Sequence, residues 1–336
     1  MAMVSEPRGT EAAILVEGLS KRFGSVVALD GIDFHVPPAT VFGLLGPNGA
    51  GKTTAIRVLT TILRPDGGRA EVLGHDVVRE AEEVRYRIGL AGQYAAVDPN
   101  LTGRENLQLI GRLAQLPRRD ILPRAMDLLE RFDLADAAHR TVRTYSGGMR
   151  RRLDVAAALV SRPQVLFLDE PTTGLDLRSR NELWTMIREL VTEGTTVLLT
   201  TQYLEEADRL TNEIAVVDGG HVIARGTSAE LKEQLGSTVI EIGLPDEASA
   251  ARAAAVLAPL VGARPEHEGT TVRVASVDGP RLLIDALRSL DAQDLAPASL
   301  AVREPSLDDV FLALTGRHAE PADEPEPEPV RMGGGG

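Results

Sequence analysis

One stretch constrains this chain more than any other. Gly46-Pro47-Asn48-Gly49-Ala50-Gly51-Lys52-Thr53 fits the pattern G-x-x-x-x-G-K-[ST], and its surroundings fit as well. The apolar run Val41-Phe42-Gly43-Leu44-Leu45 precedes it and reads as a strand buried on both faces. A helix from about Thr53 to Leu63 follows, with Ile56, Leu59 and Leu63 on one face, and Pro65-Asp66-Gly67-Gly68 ends it. Glycines in such a turn let successive backbone N–H groups converge on phosphate oxygens at the positive end of a helix. Lys52 is then placed to reach β- and γ-phosphates, and Thr53 to hold Mg²⁺ through its hydroxyl, with Thr54 at the same helix end.

Two further segments carry polar groups where phosphate chemistry needs them. Val165-Leu166-Phe167-Leu168-Asp169-Glu170 is an apolar strand that ends in acids, and a strand end presents such groups at the sheet's carboxyl edge, where ligands bind in these folds. Asp169 suits the Mg²⁺ shell and Glu170 the orientation or deprotonation of an attacking water. In Tyr145-Ser146-Gly147-Gly148-Met149 a serine and two glycines open a helix that runs from Met149 to Leu159. Ser146 either donates to a phosphate or is an ordinary helix cap.

Strands alternate with helices around these segments. Ile14-Leu15-Val16, Val26 to Leu29 and Ile32 to Val36 read as short strands, and Thr196–Thr200 and Ile214–Asp218 as buried ones. Gly219-Gly220 reads as a hairpin turn. From Gln93 to Leu159 the pattern is mainly helical, with Leu107, Ile110, Leu113 and Ala114 on one face. This predicts an α/β domain over 13–235, with a mostly parallel sheet, an N-terminal antiparallel part and a helical insertion at about 93–160. A second α+β unit over 237–317 is expected from strands Thr238–Leu244, Thr271–Ser276 and Ser299–Arg303 and helices Glu247–Leu260, Pro280–Asp291 and Ser306–Thr315. In the last helix, Val310, Phe311 and Leu314 favour core packing over a docking role, and Ser306 with Asp309 forms a capping box. The tail 318–336 is acidic, rich in proline and closed by glycines, a composition that buries no core.

Composition narrows the function classes. The net charge is −13, which gives no support to nucleic acid as a partner. Of the 36 basic residues only Lys21, Lys52 and Lys232 are lysine, and one of these stands in the phosphate loop. With no cysteine, disulfides and thiolate metal sites are excluded, and no run of about 18 apolar residues is present to span a bilayer.

Together these segments resemble the ATP-binding cassette (ABC) family over residues 13–235. Ser146-Gly147-Gly148 is similar to its signature loop, with Tyr145 and Met149 in place of the usual flanking Leu and Gln. Gln93 matches the glutamine loop that senses Mg²⁺ and touches the membrane subunit. Thr173-Gly174-Leu175-Asp176 matches the loop that crosses the dimer interface, and Phe23 the aromatic that stacks on adenine, though a core role for this phenylalanine stays open. In Thr200-Thr201-Gln202-Tyr203-Leu204-Glu205-Glu206-Ala207-Asp208 the usual switch histidine is Gln202, whose amide donates a hydrogen bond but carries no charge. These features, with Arg150-Arg151-Arg152 and Leu307-Asp308-Asp309-Val310-Phe311-Leu312, resemble the daunorubicin-resistance branch of bacterial drug and lipid exporters. The arginine run reads as a solvated helix edge or as a brace for the signature loop.

The resemblance implies an ATPase that uses ATP and Mg²⁺. It implies a second copy of the chain, since each ATP in this family lies between the phosphate loop of one subunit and the signature loop of the other. It further implies a polytopic membrane permease and residence at the cytoplasmic face of the cell membrane. A soluble ABC ATPase acting on ribosomes or DNA is the rival reading, and such proteins generally carry two cassettes or a long coiled-coil insertion.

Overall fold

Residues 12–92, 96–234, 238–261, 265–276 and 279–316 are described by the structure, a computed structural model. By contact the chain divides into two units, 12–225 and 226–316. The first runs β1 (Ile14–Phe23), β2 (Val26–Val36), β3 (Val41–Leu45), α1 (Lys52–Leu59), β4 (Gly67–Val72), β5 (His75–Asp76), α2 (Ala81–Arg87), β6 (Ile88–Ala91), α3 (Gly103–Leu113), α4 (Arg118–Arg131), α5 (Gly147–Ala158), β7 (Val165–Asp169), α6 (Leu177–Thr192), β8 (Thr196–Thr201), α7 (Leu204–Leu210), β9 (Glu213–Asp218) and β10 (His221–Gly226).

Every residue of β3, β7 and β8 is buried. Successive side chains of a strand point to opposite faces. Phe42, Leu44, Val165, Phe167 and Leu198 therefore enter one core, and Val41, Leu166, Leu168, Val197 and Leu199 the other. The sheet order is β10-β9-β3-β8-β7-β6, with β9, β3, β8, β7 and β6 pairing in parallel. One core is closed by α1 and the antiparallel sheet β2-β1-β4-β5, the other by α3 to α6. Parallel strands covered on both faces are the α/β class expected from the sequence.

Several elements differ in extent from the sequence reading. The N-terminal segments are two long strands, β1 and β2, whose pairing is interrupted by register shifts between Val16 and Arg22. Those irregularities break the period-two apolar pattern, which is why sequence periodicity yields short pieces. Helix α1 stops at Leu59, and Thr61 adopts φ 64°, a left-handed turn that no apolar spacing announces. Leu113, expected on the buried face of α3, is 73% exposed at the helix end.

The second unit runs α8 (Ser228–Glu233), β11 (Thr238–Gly243), α9 (Glu247–Val261), β12 (Glu266–Glu268), β13 (Thr271–Ser276), α10 (Gly279–Asp291), β14 (Ser299–Arg303) and α11 (Leu307–Thr315). Its antiparallel sheet, ordered β12-β13-β11-β14, packs one face on α9 and α10 through Ile240, Ile242, Val272 and Val274. Helix α8 packs on α11, so this unit begins at 226, ahead of the 235–237 boundary read from sequence. Val310 and Phe311 are buried, whereas Leu314 is 41% exposed because its side of α11 is uncovered. The acidic tail lies outside the described residues.

Candidate active site

The loop between β3 and α1 is shaped by Gly51, at φ 108°. A Cβ there would stand 2.3 Å from the Ala28 carbonyl oxygen, so both backbone angle and space require glycine. Lys52 opens the helix and folds back, only 4% exposed. Its Nζ donates to the carbonyl oxygens of Gly46 at 2.7 Å and Pro47 at 3.0 Å, and lies 3.8 Å from Glu170 Oε1. An ammonium this buried needs such acceptors.

Asp169 ends β7, where the apolar strand stops at the carboxyl edge of the sheet. Its Oδ1 accepts hydrogen bonds from Thr53 Oγ1 at 3.1 Å and Thr200 Oγ1 at 2.6 Å, joining α1, β7 and β8 at one oxygen. Glu170 follows with φ 48°. A glutamate in the left-handed region is strained, a cost usually met at functional sites. The Glu170 N–H donates to Thr200 Oγ1 at 3.0 Å. Gln202, just past β8, is 9% exposed, and its buried Oε1 has no hydrogen-bond partner.

A second group forms at the start of α5. Ser146 is exposed and caps the helix, accepting from the Met149 N–H at 3.2 Å. Gly147 and Gly148 form the first turn, and a Cβ on Gly148 would come within 2.6 Å of Ser179 Oγ, so glycine permits the close approach of α5 to α6. Asp176 caps α6 by accepting from the Ser179 N–H at 2.7 Å, a bond that holds its carboxyl below the usual range. A cleft of about 340 Å³ is lined by Gly147 and Arg150 on α5, by Glu170, and by the turn Thr173-Gly174-Leu175.

Arg151 ties these parts together. Its guanidinium donates to the carbonyl oxygens of Gly92 (2.7 Å), Asp169 (3.0 Å) and Pro171 (2.8 Å) and to Asp154 Oδ2 (3.2 Å). Asp154, 2% exposed, also accepts from the Ala96 N–H at 2.7 Å, while burial pushes its carboxyl up. The expectation of a solvated arginine edge therefore holds only for Arg150. Arg152 faces Asp133 at 3.1 Å, with 12% of its side chain exposed.

This geometry coincides with similarity to known proteins. The ABC transporter family profile matches residues 29–173. A daunorubicin resistance ATP-binding protein of Streptomyces coeruleorubidus is 56% identical over 91% of this chain and 96% of its own length. The Nod factor export ATP-binding protein I of Ralstonia nicotianae is 43% identical over 92% of this chain and 95% of its own. The chain belongs to the ATP-binding subunits of ABC transporters. Within them it falls in the daunorubicin-resistance branch. A solved ATP-binding cassette of an ABC transporter in its ADP conformation superposes with TM-score 0.60 and 28% identity, covering 66% of this chain and 93% of that one. This ABC subunit accordingly binds nucleotide and hydrolyses ATP.

Of the residues singled out in sequence, the fold brings Lys52, Thr53, Asp169 and Glu170 together, held by the loop 46–51 and by Thr200. Ser146, Gly147 and Gly148 form a separate group beside Asp176 and its helix. Phe23 ends β1 and is 47% exposed, and Lys21 Nζ stands 5.6 Å from its ring centroid, so the core alternative for this residue is overturned. Gln93 lies outside the described residues. Sequence reasoning missed Thr200 and Asp154. Thr200 had a signal, since it ends the apolar part of β8 as Asp169 ends that of β7.

Proposed function

We propose that this ABC subunit powers export of amphiphilic drugs or cell-envelope lipids through a separate polytopic permease, as a pair of chains closing over ATP at the cytoplasmic face of the membrane. The observation that carries the nucleotide chemistry of this reading is the position of Glu170, 3.8 Å from the phosphate-loop lysine Lys52 and on the wall of the cleft that α5 lines. A single chain offers one phosphate loop and one exposed Ser146 turn, so two chains complete two sites.

In this reading Lys52 exchanges the loop carbonyls for the β- and γ-phosphates, while N–H groups of the loop 46–51 and of α1 with Thr54 cradle their oxygens. Phe23 stacks on adenine. Thr53 and Asp169 present hard oxygen donors 3.1 Å apart, a set that fits Mg²⁺, and Gln93 is assigned to the same ion. Once bound, the ion neutralises charge on the phosphate oxygens. Glu170 orients water for in-line attack, and the Gln202 amide donates to the γ-phosphate. Ser146, Gly147 and Gly148 of the second copy close on the same phosphate, and Asp176 lies at the contact between copies. Loss of the γ-phosphate then removes the group that joined both chains, and the pair opens.

Export is supported by relatives named for drug resistance and for Nod factor export. Among the described residues no helix is long and apolar enough to cross a membrane, so the pathway falls to a partner. The test is inverted vesicles from cells expressing the chain with the polytopic protein that co-purifies with it. Daunorubicin accumulation driven by MgATP, and lost in Lys52→Ala, is expected. ATP turnover without vesicle accumulation of any amphiphile, and without a membrane partner, would reject export.

A further inference from the structure

Glu206 is 1% exposed on α7 and has no place in the phosphate chemistry above. Its Oε1 accepts a hydrogen bond from Trp184 Nε1 at 3.0 Å. Its Oε2 is buried without a hydrogen-bond partner, and so are Thr172 Oγ1, Arg180 Nε and Gln202 Oε1. Orphaned polar atoms are few in protein interiors, and four on neighbouring segments need a reason. Burial pushes the Glu206 carboxyl up from its ordinary range, against the Trp184 hydrogen bond, the nearby Thr201 and Thr172 hydroxyls that do not bond to it and the Arg180 charge. A leucine or methionine fills the same volume without desolvating a carboxyl, so stability alone does not account for a glutamate here.

The groups around Glu206 belong to the segments that flank the site. Thr172 stands between Glu170 and the turn Thr173–Asp176. Thr201 ends β8 and Gln202 follows it. Arg180 and Trp184 belong to α6, the helix that Asp176 caps. The Arg180 guanidinium also lies 5.3 Å from the centre of the Tyr203 ring. We propose that Glu206 is a positioning residue for ATP hydrolysis, tying α7, the helix that follows Gln202, to α6, the helix that Asp176 caps, through its bond with Trp184, so that both hold one geometry. The proposal rests on the reading of Gln202 and Asp176 as site residues. It also makes Trp184, the only tryptophan in the chain, a reporter of that tie.

The test compares full-length wild type with Glu206→Gln, which keeps a hydrogen-bonding head of the same shape, and Glu206→Met, which keeps only volume. Steady-state hydrolysis is measured together with Trp184 emission before and after saturating MgATP, and ATP binding is followed separately by equilibrium dialysis. Glu206→Met is expected to lose about tenfold in kcat with KM within about twofold. It binds ATP yet loses the emission change, while Glu206→Gln retains both. Wild-type kcat and emission response in Glu206→Met overturn the proposal. So does a wild-type emission unmoved by bound MgATP, or a Glu206→Gln variant that falls as far as Glu206→Met. If the wild type binds ATP but does not turn it over, the ATPase reading fails by itself, and the emission arm still decides the role of Glu206.

Discussion

The Thr53 hydroxyl donates to Asp169 Oδ1 across 3.1 Å, linking the first turn of the helix after the phosphate loop to the end of the central strand β7. The two groups are the oxygen donors assigned to Mg²⁺. Thr53→Val keeps the shape and removes the oxygen. Affinity for MgATP is expected to fall about tenfold or more, against a change within about twofold for ATP with chelator, since the lost group acts on the ion. Calorimetric titration with and without Mg²⁺ checks this, and equal losses in both titrations would contradict the assignment.

Glu170 stands on a left-handed backbone with its Oε1 3.8 Å from Lys52 Nζ. Glu170→Gln preserves the side-chain shape and removes the carboxylate proposed to orient the attacking water. Hydrolysis should drop by about 100-fold or more, the scale of a lost general base, with ATP binding intact. Gel filtration in MgATP should show a stable dimer of Glu170→Gln. Turnover at the wild-type rate would transfer the water-positioning role to another group.

Gln202 stands where the resembling family usually has a switch histidine, and its amide forms hydrogen bonds but carries no charge. The residue is 9% exposed, and its Oε1 is buried without a partner. Gln202→Ala should slow hydrolysis about tenfold, the effect of one lost phosphate contact, without moving KM more than about twofold. An unchanged rate would reduce Gln202 to packing.

Local features of the site were legible in the sequence and long-range ties were not. The phosphate loop, the apolar strand ending in Asp169-Glu170 and the Gly219-Gly220 turn are each written in contiguous residues. The hydrogen bond between Trp184 and Glu206 joins positions 22 apart in sequence, and the Arg151 contacts with Gly92 and Asp169 cross between elements. Nothing in a residue's neighbours announces such partners. Leu113 shows the opposite failure, because periodicity marks a face as apolar without saying where its cover ends.

Arg151 and Asp154 form a pair with 12% and 2% of their side chains exposed. Removing the arginine strands a buried carboxylate and frees three backbone carbonyls from their donor. Arg151→Leu should therefore cost about 3 kcal/mol, in the range for breaking a buried ion pair. Urea unfolding followed by Trp184 fluorescence measures it. A cost below about 1 kcal/mol would place the pair with ordinary surface bridges.

In the second unit, Asp309 accepts both Arg303 Nη1 at 2.6 Å and Arg303 Nη2 at 2.9 Å while serving in the Ser306 capping box. Burial opposes its ionisation, but the bonds from Arg303 and Ser306 prevail and lower its pKa from 3.8 to about 2. A carboxylate with a depressed folded pKa contributes stability that is fully present above its unfolded value and is lost as pH falls through the folded one. The window is thus from about pH 4 down to about 2, and the linked contribution above it is about 2 kcal/mol. Asp309→Asn should be less stable than wild type by about that amount at pH 7, with the gap closing across this window. Urea titrations of the full chain, followed by circular dichroism at several pH values, test the sign. A gap that is constant from pH 7 to pH 3 and below would mean that the Arg303 pair contributes nothing beyond what a neutral amide supplies.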